Sequence, residues 1–176
     1  LTGSGVGPVH IDEVMGVVKA YTTRVGEGPM PTEFGPDLMD AIRTKGDEYG
    51  ATTGRPRRCG WFDAVVVRYA AMLNGLTSLA VTKLDVLDEM PVLKICVGYR
   101  YRNRVITDFP SNMNILSSVT PVYEEHPGWL TCTKKITTER ALPRNARLYL
   151  KRIAELIGVS ISIISVGSNR NQTIFV

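Results

Sequence analysis

The run Ser78-Leu79-Ala80-Val81-Thr82 constrains the fold more than any other stretch of the chain. It is short, apolar without interruption, and follows the turn signal Asn74-Gly75, so it reads as a buried strand rather than a half-solvated one. A buried strand implies elements that cover it, and helical patterns stand on both sides of it in sequence. Phe62, Val65, Val66, Tyr69 and Leu73 recur at the spacing of one helical face, which predicts a helix over Phe62 to Leu73. A second helix is expected from Pro143 to Ile157. There Ala146, Tyr149, Ile153, Leu156 and Ile157 share a face, Pro143 suits the first turn, and Gly158 suits the residue after the last. Val159 to Val166 then reads as another apolar strand. Helices alternating with short buried strands define an α/β class.

The remaining elements follow from β-branched runs and chain breakers. Val17 to Val25 reads as a strand ended by Gly26, Val119 to Glu124 as another, and Gln172 to Val176 as a final short one. Lys94 to Arg102 and Val105 to Phe109 form a hairpin turning at Asn103, so an antiparallel region accompanies the α/β part. Short helices are expected at Val9 to Gly16, with Pro8 in the first turn, and at Asp37 to Lys45. Gly46 to Gly60 contains Gly50, Gly54 and Pro56 and reads as loop. No repeat, low-complexity tract or linker divides 1–176, which is expected to be a single unit.

Composition narrows the function classes. The chain has 176 residues, 44% of them hydrophobic, which excludes collagen-like, mucin-like and disordered classes. Lys and Arg number 21 against 17 Asp and Glu, and the net charge of +4 suits an anionic ligand but not a polybasic protein. No apolar stretch approaches the roughly 20 residues of a membrane span, and no signal-peptide pattern is visible, so no membrane partner is expected. Cys59, Cys96 and Cys132 are odd in number and lack a C-x-x-C pair, and His10 and His126 lie far apart. That argues against disulfides and a metal site, and for a reducing, cytoplasmic compartment. The sequence opens without Met inside the glycine-rich run Leu1 to Pro8, so it is expected to be a piece of a longer protein.

Three segments carry chemistry, and each begins where an element ends. Ala51-Thr52-Thr53-Gly54-Arg55-Pro56-Arg57-Arg58 combines hydroxyls, backbone N–H groups and guanidinium forks suited to carboxylate or phosphate. It reads equally as a solvated basic loop or a nucleic-acid patch. The helix that follows adds only Arg68, and no aromatic residues interleave with the arginines, so no nucleic-acid partner is expected. Pro56 pushes Arg55 out of the helical region; in an extended stretch Arg55 and Arg57 point one way and Arg58 the other. Thr82-Lys83-Leu84-Asp85 follows the buried strand at the edge where open α/β sheets bind ligands. An Asp there can accept from guanine N1–H and the N2 amino group, which adenine does not offer, while the Lys83 stem covers the purine face. Ser165-Val166-Gly167-Ser168 ends the C-terminal apolar strand. It reads as an ordinary turn or as backbone groups presented to a base edge, with Gly167 permitting close approach.

The run Tyr49 to Asp63, together with Thr82-Lys83-Leu84-Asp85-Val86-Leu87-Asp88, closely resembles the adenylosuccinate synthetase family. Lys19 to Gly26, Pro29 to Glu33, Pro127-Gly128-Trp129 and Tyr149 to Ile153 resemble it too, so the likeness runs along the whole chain. Arg58-Cys59-Gly60-Trp61 and Arg68-Tyr69-Ala70 look like its eukaryotic branch. The resemblance implies the C-terminal part of a P-loop-NTPase-like α/β fold, with mixed sheet strands, helices and an antiparallel hairpin region. It implies a ligase that joins L-aspartate to IMP using GTP, giving adenylosuccinate, GDP and phosphate. GTP first phosphorylates the 6-oxygen of IMP, and the aspartate amine then displaces that phosphate.

By position in the family, Ala51, Thr52, Thr53, Gly54, Arg55, Pro56 and Arg57 would close over aspartate, with Arg55 also reaching IMP and Arg57 the GTP side. Lys83, Leu84 and Asp85 would read the guanine, assisted by Ser165, Val166 and Gly167. A dianionic amino acid and a triphosphate both call for such fixed positive charge. The resemblance also implies Mg2+, a homodimer and a cytoplasmic setting. It places the phosphate loop, the catalytic aspartate and histidine and the magnesium ligands in an N-terminal half, so no catalytic or metal-binding residue is expected in this chain. Gly3-x-Gly5-x-Gly7 is no replacement, lacking the lysine and the preceding strand. Ser168 departs from the family, many of whose members carry proline there. The alternative expectation is a non-catalytic guanine-nucleotide-binding piece.

Overall fold

Three parallel strand ends meet at one edge of this protein, whose computed structural model describes residues 2–176. In chain order the elements are β1 (Met15–Lys19), β2 (Thr22–Arg24), α1 (Pro36–Lys45), β3 (Arg58–Gly60), β4 (Phe62–Asp63), α2 (Ala64–Asn74) and β5 (Ser78–Thr82). There follow β6 (Val92–Tyr101), β7 (Arg104–Ile106), α3 (Met113–Leu116), β8 (Thr120–Pro127), α4 (Arg144–Ile157), β9 (Ser160–Ser165) and β10 (Thr173–Phe175). Short 3₁₀ turns occupy Leu84–Leu87 and Arg170–Gln172, among others.

The main sheet has the order β1-β5-β9-β10, with β1, β5 and β9 parallel and β10 antiparallel to β9. In register, Lys19 stands opposite Thr82 and Val81 opposite Ile164, so the carboxyl ends of the three parallel strands finish together. β5 is the buried strand its composition predicts: Leu79 and Val81 are fully buried, in one core with Ile164, Ala146, Tyr149 and Ile153. Helix α4 carries that apolar stripe, and its Tyr149 hydroxyl donates to Ala20 O at 2.8 Å, anchoring the helix to the end of β1. Gly158 ends α4 at φ 76°, a left-handed conformation that glycine adopts without strain. A second sheet joins β4, β6, β7 and β8, with β6 and β8 antiparallel and β4 parallel to β6.

Several expected elements are relocated. The helix expected at Val9 to Gly16 is instead a 3₁₀ turn over Pro8–His10 followed by extended chain. Val9 is 86% exposed there, so a helix would have had no core to bury its face against. The strand expected from Val17 to Val25 divides at Ala20 and Tyr21: β1 pairs with β5, while β2 pairs with β3 in a separate ribbon. Gly46 to Gly60 is not all loop, because Arg58–Gly60 forms β3. Helix α2 begins two residues later than expected. Phe62 and Asp63 pair with β6, and Asp63 caps the helix by accepting from Val65 N at 3.1 Å and Val66 N at 3.2 Å. The hairpin turns at Arg102 and Asn103, but β7 stops at Ile106, and Phe109 stacks on Tyr69 with ring centroids 5.1 Å apart. The reading of Leu1 as loop lies outside the described residues.

Candidate functional site

After Thr82, the chain turns sharply at Lys83, whose φ of 61° and ψ of 30° start the 3₁₀ turn Leu84–Leu87. Leu84 is driven fully into the core, which leaves Asp85 at the strand-end edge, nearly buried at 8% exposure. The Lys83 ammonium donates to Gly46 O at 2.5 Å and ties this turn to the end of α1. At the neighbouring strand end, Ser165 Oγ donates to Gly167 O at 2.8 Å and Val166 N donates to Gln172 O at 2.9 Å. These two turns and the end of α1 enclose a cavity of about 420 Å³ whose lining includes Lys45, Lys83, Asp85, Lys134, Ser165 and Gly167.

Asp85 dominates the chemistry of this cavity. Its Oδ2 lies 3.8 Å from Lys134 Nζ, while its Oδ1 is buried without a hydrogen-bond partner among the described residues. Burial pushes the carboxyl above the ordinary Asp range, an effect that Lys134 opposes and the neighbouring Asp88 reinforces. A buried acceptor left unpaired costs free energy unless a ligand supplies the donor. The side chains of Leu84 and Val166 belong to the core and Val166 N is taken by Gln172 O, so neither side chain faces the cavity.

The basic loop is a small hairpin beside this cavity rather than a wall of it. Tyr49 bridges Pro56, Gly50 N donates to Arg55 O at 2.8 Å, and Gly54 N donates to Gly50 O at 2.8 Å. Residues 51–56 are exposed, and Arg55 makes contacts through its backbone only. Arg57 instead donates to Glu48 Oε2 at 2.8 Å. Glu48 is fully buried and also receives Lys19 Nζ at 2.7 Å and the Tyr21 hydroxyl at 2.5 Å. Burial pushes its carboxyl up, but the hydrogen bonds from Lys19, Tyr21 and Arg57 together outweigh burial and hold it below the ordinary Glu range. Arg58 turns the other way: its Nε donates to Glu33 Oε1 at 2.7 Å, its Nη2 to Glu33 Oε2, and its Nη1 to Gly28 O at 2.7 Å. The divergence of Arg57 and Arg58 is the one that extended backbone requires. Arg57 shares Glu48 with Lys19 and Arg58 is paired with Glu33, which leaves Arg55 as the guanidinium of this run without a side-chain partner among the described residues.

The structure thus brings Lys83, Asp85, Ser165 and Gly167 around one cavity, and leaves 51–56 outside it. The two parts meet at Gly46 and Asp47, which line the cavity next to the Glu48 cluster. Sequence reasoning missed Lys45, Glu48, Lys134 and Gln172. Gln172 carried a readable signal, since Asn169-x-x-Gln172 is a capping-box pattern and both of its hydrogen bonds form. Lys134 carried none. A larger groove of about 560 Å³ along α4 contains none of the candidate site residues read from the sequence. Among the described residues no group of His, Cys, Asp and Glu could hold a metal ion, and no helix is long and apolar enough to cross a membrane.

Comparison with known proteins shows the family and the fold. The profile of the adenylosuccinate synthetase family matches residues 1–174. An adenylosuccinate synthetase of Desulforamulus reducens is 59% identical over 172 residues, which is 98% of this chain and 40% of the relative. One of Heliobacterium modesticaldum is 57% identical with the same coverage. A fully ligated adenylosuccinate synthetase from Plasmodium falciparum superposes with a TM-score of 0.95 at 36% identity, covering 99% of this chain and 42% of that one. The chain therefore spans about 40% of the length of the curated relatives it matches. Both curated relatives are bacterial and more similar than the eukaryotic structure, which lends no support to a eukaryotic-type sequence.

Proposed function

Because the chain belongs to the adenylosuccinate synthetase family, we propose that it supplies the guanine-reading and aspartate-holding parts of a GTP-dependent ligase joining L-aspartate to IMP. One observation carries this reading: two parallel strand ends converge on a cavity whose buried Asp85 Oδ1 lacks a partner. An ionised Asp85 would accept from guanine N1–H and the N2 amino group, with the Lys83 stem along the purine face and the 165–167 turn meeting the base edge through its backbone. Adenine presents no such pair of donors.

In this reading the exposed hairpin 51–57 folds over aspartate, and the unpaired Arg55 reaches its carboxylates and IMP as a planar two-point donor. Arg57 serves the GTP side from its seat on Glu48. These residues bind and position; the base that deprotonates and the magnesium that neutralises phosphate charge would come from outside this chain. A cytoplasmic homodimer is the setting proposed for the complete enzyme. The 40% span relative to the curated relatives favours one subsidiary reading, a piece that binds guanine nucleotide without turnover.

Calorimetric titration of the chain with GDP and with ADP tests the assignment. GDP binds and ADP does not, and Asp85→Asn abolishes the preference. Equal affinity for the two nucleotides would overturn it. Synthesis of adenylosuccinate by the chain alone would refute the subsidiary reading.

A further inference from the structure

Lys134 reaches the base cavity from the irregular segment between β8 and α4. Its ammonium faces Asp85 Oδ2 at 3.8 Å, with the lysine side chain 55% exposed and the aspartate only 11%. The backbone of Lys134 is not free: its carbonyl accepts from Gln172 Nε2 at 3.0 Å. The same glutamine accepts from Asn169 N through Oε1 at 3.0 Å. A single side chain therefore couples the turn after β9 to the segment that carries Lys134. We propose that Lys134, tethered by Gln172, is the counter-ion of Asp85 and positions that carboxylate for base recognition. The proposal rests on the guanine reading above and adds to it the group that sets the charge of the reading residue.

Of the cations around Asp85, Lys134 holds its charge most strongly and Lys83 adds a weaker contribution. In its own turn Lys83 donates to Gly46 O, and Asp88 is occupied by Trp129 Nε1 at 2.8 Å, Thr133 N at 2.7 Å and Thr133 Oγ1 at 2.9 Å. From the end of α1, Lys45 pairs with Glu89 at 3.3 Å, and Asp47 adds a further negative charge to the cavity wall. After β1, the Tyr21 hydroxyl is committed to Glu48. Lys134 is the cation whose ion pair is with Asp85. The charge matters because a protonated Asp85 would set an O–H donor against the guanine N–H groups, and burial beside Asp88 favours that protonated form.

The test is a carboxyl-carbon NMR titration of Asp85 in the chain, with GDP affinity followed by calorimetry across the weakly acid to neutral range. Lys134→Met is expected to raise the Asp85 titration midpoint, and Lys134→Arg to restore it. Gln172→Leu is expected to move it in the same direction by less. GDP binding by Lys134→Met should weaken roughly two- to fivefold where Asp85 is partly protonated, and recover as pH rises. An unchanged midpoint in Lys134→Met overturns the proposal. So does a loss of affinity that is uniform with pH and is not rescued by arginine, since that marks a merely structural role. An unchanged midpoint in Gln172→Leu overturns the tether. If the unmodified chain binds no GDP, the guanine reading fails, while the NMR midpoint still decides whether Lys134 governs Asp85.

Discussion

Arg57 Nη1 lies 2.8 Å from Glu48 Oε2, and the carboxylate it meets is completely buried. The pair joins the last residue of the exposed hairpin to Lys19 and Tyr21 at the end of β1, so Glu48 holds a strand end and a candidate ligand-binding loop at once.

Glu48→Gln should therefore be severe. It keeps the shape but leaves Lys19 and Arg57 without their anion, and breaking a buried ion pair typically costs about 3 kcal/mol. Because the Glu48 carboxyl is held below its ordinary value, its stabilisation is fully present above the unfolded-state value and is lost as pH falls through the lower folded value. Urea denaturation across that acid window should show a steep limb in the native chain and a shallower one in the variant. Parallel limbs would mean that Glu48 is not the group responsible.

Asp85 works in the opposite direction. Its folded value is raised, so its ionisation opposes folding: the penalty grows as pH rises from the unfolded to the folded value and is full above that. Asp85→Asn should leave the melting temperature at neutral pH unchanged or higher. Its cost falls on ligand binding, about 1.5–3 kcal/mol in GDP affinity for a lost charge-assisted contact. A drop in both stability and affinity would indicate a structural aspartate.

Arg55 of the hairpin and Arg58 of β3 separate by the same comparison. Among the described residues Arg55 has no side-chain partner, so Arg55→Leu should change stability by no more than about 0.5 kcal/mol. Arg58 is clamped on Glu33 and Gly28 O, and Arg58→Leu should cost about 1 kcal/mol. In the complete enzyme the order reverses: turnover collapses for Arg55→Leu and survives Arg58→Leu. Arg55→Lys should rescue poorly, since an ammonium cannot reproduce a planar two-point contact.

What the sequence disclosed follows the range of the forces involved. β5, α1 and α4 were legible because apolar periodicity, Pro and Gly act locally, and Gly158 ends α4 where its position implied. The division of Val17 to Val25 was not legible: Tyr21 leaves the sheet to reach Glu48, a partner 27 residues away. The start of α2 was misplaced for a similar reason, because Asp63 serves both as cap and as the acceptor for the Tyr99 hydroxyl at 2.6 Å. In the site, the strand-end Lys83 and Asp85 could be read from β5 alone. Lys134 and Glu48 could not, since each lies in irregular chain and acquires its role only from tertiary contacts.

Gly167 packs closely against the Gln172 side chain at the strand-end cavity. A Cβ on Gly167 would stand 2.2 Å from Gln172 Oε1 and 2.4 Å from Gln172 Cδ. That glutamine cannot swing away without releasing Asn169 N or Lys134 O, so Gly167→Ala must either deform the 165–167 turn or break a hydrogen bond that places Lys134. Either route loses about 1.5 kcal/mol of GDP binding, roughly tenfold in affinity. Gly54→Ala is the control. Gly54 has φ 64° with open space around it, so the substitution strains the exposed hairpin by about 1 kcal/mol yet touches nothing in the base cavity. Isothermal titration of both variants with GDP distinguishes the two effects. Affinity that falls for Gly167→Ala and holds for Gly54→Ala places base recognition at the 165–167 turn, and the reverse pattern would move it to the hairpin.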